Sequence, residues 1–160
     1  MQDKKIKVAV NGAGRIGRAF IRLSQNTPEI ELVAINDLGD IENIAYLLKY
    51  DTAYGAAQFP VSVKANKDAL IIGKPAFAQS SGEAMEVKFF SLKEPKELPW
   101  KDLEIDVVIE STGAFNSFEK AKAHIDAGAK RVLITAPVKD EPIDETQVMV
   151  LMGINDEKLE

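Results

Sequence analysis

Apolar residues in this chain fall alternately in short unbroken runs and at helical intervals. Ile6 to Val10 is a short β-branched run that ends at Asn11-Gly12, which predicts a strand. Ile16, Ala19, Phe20 and Leu23 then recur at i, i+3, i+4 and i+7, one face of a helix that Asn26-Thr27-Pro28 closes. Glu31 to Asn36 predicts a second strand. Asp40 is placed to cap a second helix, with Ile41, Ile44, Ala45 and Leu48 on its apolar face.

The middle of the chain has another rhythm. Val61 to Ala65 and Ala69 to Ile72 flank the polar turn Asn66-Lys67-Asp68, which predicts a hairpin, and Ala84 to Leu92 reads as a further strand. Pro95, Pro99 and Trp100 argue against a helix of any length there. Alternation then resumes with a strand over Asp106 to Glu110, a helix over Ser117 to Ala127 closed by Gly128, and a strand over Arg131 to Thr135. Gln147 to Met152 reads as a last apolar strand at one margin of the sheet, with Met149 and Met152 in its core. Strands alternating with helices predict an α/β fold with a doubly wound, mostly parallel sheet and a β-hairpin insertion. The runs Val107-Val108-Ile109 and Val132-Leu133-Ile134 lack polar alternation, as strands covered on both faces do.

Length and composition narrow the function classes. The 160 residues suit one domain, 1–160, which buries about 70% of its unfolded surface. Basic residues number 20 against 25 acidic, a formal charge of −5, so the excess expected of a nucleic-acid binder is absent. There is no cysteine and one histidine, His124, which removes thiolate zinc sites, cysteine nucleophiles and histidine-rich metal centres. No apolar run reaches the ~20 residues of a membrane span, and Met1 to Lys5 lead into the first strand without a signal-peptide core. A soluble, cytoplasmic protein with no membrane partner is the expectation.

The sharpest chemical signal is Gly12-x-Gly14-x-x-Gly17. Alone the pattern is weak, since a glycine-rich turn without a ligand shares it. Here it follows a predicted strand, opens a predicted helix and is followed by Asp37, twenty residues after Gly17. Gly12 permits the tight turn, Gly14 lets a pyrophosphate approach the backbone, and Gly17 lets helix and sheet pack closely. The helix N-terminus offers free N–H groups and a positive dipole end to phosphates. Asp37 is placed to bind a ribose 2′-OH and repel a 2′-phosphate, which favours NAD over NADP; a capping or loop carboxylate is its plain alternative.

Ser111-Thr112-Gly113-Ala114-Phe115 follows a buried strand and would face the same crevice, beyond the carboxyl ends of the strands. Position alone does not separate a ligand loop from an ordinary strand-to-helix turn with Asn116 or Ser117 as cap. Thr135-Ala136-Pro137 stands in the same balance. His124 reads as a surface or boundary residue and Trp100 as packing. The pairs Asp140-Glu141, Asp144-Glu145 and Asp156-Glu157 read as solvated.

Together, Asn11-Gly-Ala-Gly-Arg-Ile-Gly-Arg18, Ile35-Asn-Asp-Leu38, Tyr46-Leu-Leu-Lys-Tyr-Asp51, Glu110-Ser-Thr-Gly-Ala-Phe115, Ile134-Thr-Ala-Pro137 and Met152-Gly-Ile-Asn155 resemble the phosphorylating glyceraldehyde-3-phosphate dehydrogenases. The resemblance covers essentially the whole chain. It implies a Rossmann NAD-binding domain in which the backbone of Arg15 and Ile16 holds the pyrophosphate. Asn36 and Asp37 would bind the adenosine end, with Asp37 on the ribose. Lys93 matches an arginine whose backbone meets the adenine, Thr112 and Phe115 would flank the adenine, and Thr135 matches a serine near the nicotinamide. Leu38 resembles the NAD-preferring members.

Two departures matter. Ala13 replaces the family's usual phenylalanine, and the chain stops at Glu160, before the segment that supplies the family's nucleophilic cysteine. The family reaction needs a thiolate to form a hemithioacetal before hydride transfer, so this chain alone is expected to be inactive. The resemblance implies a catalytic half as partner and a homotetramer for the full-length family, with self-association expected of this fragment. Erythrose-4-phosphate dehydrogenase shares the motifs, and a stand-alone, non-catalytic NAD-binding module is the alternative from a different class.

Overall fold

The protein is described here from a computed structural model covering residues 4–73 and 84–159. Met1 to Asp3 of the N-terminal segment lie outside the described residues. In chain order the elements are β1 (Ile6–Asn11), α1 (Arg15–Ser24), β2 (Ile30–Asn36), α2 (Ile41–Lys49), β3 (Tyr50–Asp51), β4 (Gly55–Ala56), β5 (Val61–Val63), β6 (Ala69–Ile72), β7 (Met85–Phe90), β8 (Val107–Glu110), α3 (Phe118–Asp126) and β9 (Arg131–Ile134). Short 3₁₀ turns occupy Pro95–Glu97 and Asp156–Leu159.

Seven strands form one sheet in the order β5-β6-β7-β2-β1-β8-β9. Strands β7, β2, β1, β8 and β9 are mutually parallel, while β6 runs antiparallel to both β5 and β7. The expected hairpin is therefore present and extends the parallel sheet at one edge. A second ribbon, β3 with β4, was not expected from the sequence. With two residues per strand it is too short for any periodicity, and Asp51 forms its turn by accepting the N–H groups of Ala53 and Tyr54.

Alternating side chains of β1 point to opposite faces, and each face has its own core. Val8 and Val10 pack with Ile21 of α1, Ile44 and Leu48 of α2, and Leu32, Ile35, Leu70 and Val87 of the sheet. Ala9 and Ala34 face the other way, with Trp100, Ile105, Val108 and Ala129. Trp100 is fully buried, as a packing residue should be, and meets Phe90 edge-on at 6.2 Å. Each fully buried Ile or Leu contributes about 1.5–3 kcal/mol of transfer free energy to this two-sided core.

The chain winds from β1 to one side through β2 and β7, then returns to the other side of β1 with β8 and β9. Strand order thus reverses between β1 and β8, which opens the crevice where such sheets take ligands. Register places Asn36, Asn11 and Glu110 side by side in one row at the carboxyl ends of β2, β1 and β8.

Five expectations are corrected. Gln147 to Met152 forms no strand. Asn155 takes up its backbone groups instead, accepting Leu151 N–H and donating to the Met149 carbonyl. Met149 and Met152 are accordingly exposed, Met152 at 75%. The sheet ends at β9, whose Leu133 is 52% exposed, so only β8 of the two unalternating runs is buried on both faces. His124 is fully buried, and Asp140 is engaged at the start of α3. Among the described residues no helix is long and apolar enough to cross a membrane.

Candidate functional site

The turn after β1 is built by contacts that exclude side chains. Gly12 has φ +94°, and a Cβ there would lie 2.7 Å from the backbone nitrogen of Thr112. A Cβ on Gly17 would lie 2.0 Å from the Gly12 carbonyl and 2.8 Å from the Ser111 hydroxyl. Gly17 is thus required by the approach of α1 to the Gly12 turn and to the loop after β8, rather than by the sheet itself. Gly14 differs, because nothing lies within 4 Å of where its Cβ would be. Its missing side chain leaves the approach to α1 open from outside.

Helix α1 begins there without a side-chain cap and without an acidic residue in its first turn. Its first intrahelical N–H bond is Arg18 to the Gly14 carbonyl at 3.0 Å, so the N–H groups of Arg15, Ile16 and Gly17 have no helical acceptor. The other two helices are capped. Asp40 accepts Glu42 and Asn43 N–H at the start of α2. Ser117 accepts Lys120 N–H at the start of α3, and Asp140 accepts those of Phe118 and Glu119. Among the described residues this is the one uncapped α-helix N-terminus, and beside the open flank of Gly14 it suits an anion.

Asp37 stands at the end of β2 beside this turn. One carboxylate oxygen accepts Ala13 N–H at 2.7 Å and the other accepts Gly39 N–H at 2.7 Å. Each oxygen keeps a second acceptor position, so the same carboxylate fixes the turn and can take a sugar hydroxyl. Asn36 is buried, and its amide is fully engaged by the Asn11 side chain and by the Leu92 N–H and carbonyl. That clamp holds the chain just before Lys93, which is exposed.

The loop after β8 is fastened to the glycine turn. Ser111 N–H donates to the Asn11 carbonyl at 2.8 Å, and its hydroxyl donates to the Gly12 carbonyl at 2.7 Å. Thr112 and Gly113 are exposed, and Phe115 is half-buried with its ring edge-to-face with His124 at 6.2 Å. Thr135 closes this end of the crevice, its N–H donating to the Glu110 carbonyl at 3.0 Å. The structure thus gathers the turn 12–17, Asp37, the loop 111–115 and Thr135 at the carboxyl end of the sheet.

Beneath these loops lies a polar cluster that periodicity did not reveal. Glu110 is buried and receives Asn11 Nδ2 at 2.6 Å, His124 Nε2 at 3.0 Å, Thr112 N–H at 2.8 Å and the Thr112 hydroxyl. Burial pushes its carboxyl up, but the hydrogen bonds from His124, Thr112 and Asn11 outweigh this and hold it below the ordinary glutamate value. Trp100 Nε1–H donates to His124 Nδ1 at 3.0 Å. An indole N–H is only a donor, so His124 carries its proton on Nε2 and donates it to Glu110. Two signals could have found the cluster: Glu110 ends an otherwise apolar buried strand, and His124 lies three residues after the buried Ala121 on α3.

An uncapped helix start, an open glycine flank and a neighbouring carboxylate fit a dinucleotide. Comparison with known proteins gives the same answer. Residues 6–118 match the family described as "Glyceraldehyde 3-phosphate dehydrogenase, NAD binding domain". Glyceraldehyde-3-phosphate dehydrogenase of Thermotoga maritima is 44% identical over 155 residues, covering 96% of this chain and 41% of the relative. That of Mycobacterium avium is 42% identical over 158 residues, covering 96% of this chain and 42% of the relative. Glyceraldehyde-3-phosphate dehydrogenase 2 of Bacillus subtilis is 40% identical over 156 residues, covering 98% and 41%. The chain therefore spans about two-fifths of the length of the curated relatives it matches. It belongs to the glyceraldehyde-3-phosphate dehydrogenase NAD-binding domain family, and its cofactor is NAD.

Proposed function

We propose that this chain is the cofactor-holding part of an NAD-dependent, phosphorylating aldehyde dehydrogenase acting on glyceraldehyde 3-phosphate. One observation carries the reading: the uncapped start of α1 opens past Gly14 to the outside, beside a carboxylate suited to a ribose. The N–H groups of Arg15 and Ile16 take the pyrophosphate, and Asp37 takes the adenosine ribose. Asn36 and the backbone at Lys93 shape the adenine side, Ser111 to Phe115 its opposite wall, and Thr135 the way to the nicotinamide. The nucleophilic thiolate comes from polypeptide other than these 160 residues, which contain no cysteine. NAD bound in such a site accepts a hydride; this chain's residues bind and orient it.

The test uses Trp100, the chain's one tryptophan. Titrating NADH while exciting Trp100 should give energy transfer to the nicotinamide, with calorimetry returning a weak but saturable affinity. Affinity is weak because fewer contacts offset the cost of association when the nicotinamide end has only this domain's walls. A folded chain that shows no binding at millimolar NADH overturns the reading. Incubation with glyceraldehyde 3-phosphate, NAD and phosphate should yield no NADH; turnover from a preparation free of host enzyme would contradict the thiolate argument.

A further inference from the structure

Glu110 and His124 are a buried ionisable pair that the binding groups named above do not include. Four donors converge on the two Glu110 oxygens: Asn11 and His124 on Oε2, and the N–H and hydroxyl of Thr112 on Oε1. The N–H groups among them need an acceptor at both oxygens, which the ionised carboxylate supplies. Asn11 immediately precedes the glycine turn, and Thr112 leads the facing loop. One buried charge thus holds the two walls of the crevice from below, while Ser111 ties them from above.

The proton positions extend from here in one direction. Trp100 donates to His124 Nδ1, which places the imidazole proton on Nε2, where it serves Glu110. Asn11 Nδ2 lies 3.3 Å from His124 Nε2, a contact between two donors that share one acceptor. Asn11 Oδ1 in turn accepts from Asn36 at 2.7 Å, so the row reaches the strand that carries Asp37. Glu110 is the charged group facing His124 across β8, and the neighbours from the other packed elements, Trp100, Phe115 and Asn11, are neutral.

We propose that the Trp100–His124–Glu110 chain is a positioning unit for the dinucleotide, setting the spacing of the Gly12 turn and the Thr112 loop through Asn11 and Thr112. It rests on the nucleotide-binding reading above. None of the three side chains touches the ligand; they act through the loops. Replacing Glu110 by glutamine sets an amide NH₂ against either Asn11 and His124 or Thr112, since no rotamer meets donors on both sides. The walls then part, and affinity falls more than stability alone requires.

The experiment compares NADH affinity by calorimetry with melting temperature for the whole chain, Glu110→Gln, His124→Leu, His124→Gln and Ser117→Ala. Ser117→Ala removes a cap at the start of α3, seven residues before His124 in the chain, and serves as the stability control. Glu110→Gln and His124→Leu should bind NADH about tenfold more weakly or worse, the effect of losing a charge-assisted hydrogen bond. Ser117→Ala should keep its affinity. His124→Gln retains an N–H for Glu110 and should restore binding to within a few-fold of the parent. Equal affinity in Glu110→Gln and the control overturns the proposal and leaves the nucleotide reading standing. Absence of binding by the unaltered chain overturns both. A second measurement needs no variant: the ¹⁵N pattern of the single imidazole should show the Nε2–H form at neutral pH, and an Nδ1–H form overturns the proposal.

Discussion

At Asp37 one carboxylate has two tasks, and a substitution must separate them. It accepts Ala13 N–H and so holds the glycine turn, and in the proposed function it also binds the ribose. Asp37→Ser should lower NAD affinity through both, by about tenfold or more. Absolute affinity therefore cannot assign the ribose contact, whereas the ratio of NAD to NADP affinity can. Loosening of the turn weakens both ligands alike, but removal of the charge relieves repulsion of the 2′-phosphate alone. The ratio should narrow towards one, and an unchanged ratio by parallel calorimetry removes Asp37 from the ribose site. Gly17→Ala is a sharper probe of the turn. The new methyl meets the Gly12 carbonyl, a backbone atom that cannot rotate away. It should cost about 1–3 kcal/mol by denaturant melting, the range of overpacking, and weaken NADH binding as well. A variant of parent stability would show that α1 can slide from the turn.

At the scale of elements, α3 depends on carboxylates more than its sequence suggests. Asp140 accepts two N–H groups at its first turn; burial raises its carboxyl, the N–H bonds of Glu119 and Phe118 lower it, and the net shift is downward. Glu110, also held below its ordinary value, receives His124 from the helix interior. A carboxyl lowered in the folded state binds fewer protons there than when unfolded. Its stabilisation is complete above the unfolded value, near 4.5 for glutamate, and is lost as pH falls through the folded value. Melting temperature should thus decline as pH falls below about 4.5, with amide exchange at Phe118 and Glu119 accelerating first. A flat profile over that range would detach both carboxylates from α3. These contacts were hidden from periodicity for a physical reason. Helical repeats and short unbroken apolar runs report burial of apolar faces, and with the turn and cap signals beside them gave α1, α2, α3 and the central strands to within a residue or two. Asp140 and Glu110 act across the fold, and their partners become visible only when the sheet aligns them. Gln147 to Met152 failed in the opposite way, because an apolar run is strand-like only if a partner strand accepts its backbone, and here Asn155 does. The glycine turn and Asp37 were legible because local backbone geometry constrains them; the supporting cluster was not.

Over the whole molecule, apolar surface is unevenly covered. Helices α1 and α2 pack into one core and Trp100 anchors the other, yet the part following β9 leaves large side chains in water. Ile143, Leu151, Met152 and Ile154 are all more than half exposed, next in the chain to a sheet edge where Leu133 is also open. Contiguous apolar patches beyond about 300–600 Å² are unusual on soluble monomers and tend to be covered by association. The edge strand is β9 rather than Gln147 to Met152, so free backbone groups lie on Arg131 to Ile134. Its exposed Arg131 opposes strand-on-strand pairing. Association should therefore run through side chains of the segment 143–154 rather than through an extended sheet, and a two-fold dimer is the simplest closed arrangement. Sedimentation velocity over a hundredfold concentration range should show a rising weight-average coefficient, with binding of a hydrophobic dye falling as copies associate. Leu151→Asp with Met152→Asp should return the chain to a monomer while leaving NADH affinity unchanged, because the hydrogen bonds of this segment stay within it, Asn155 and Asp156 and reach neither the glycine turn nor Asp37. A monomer at every concentration, with no dye bound by the parent chain, would mean that the exposed segment covers itself in solution.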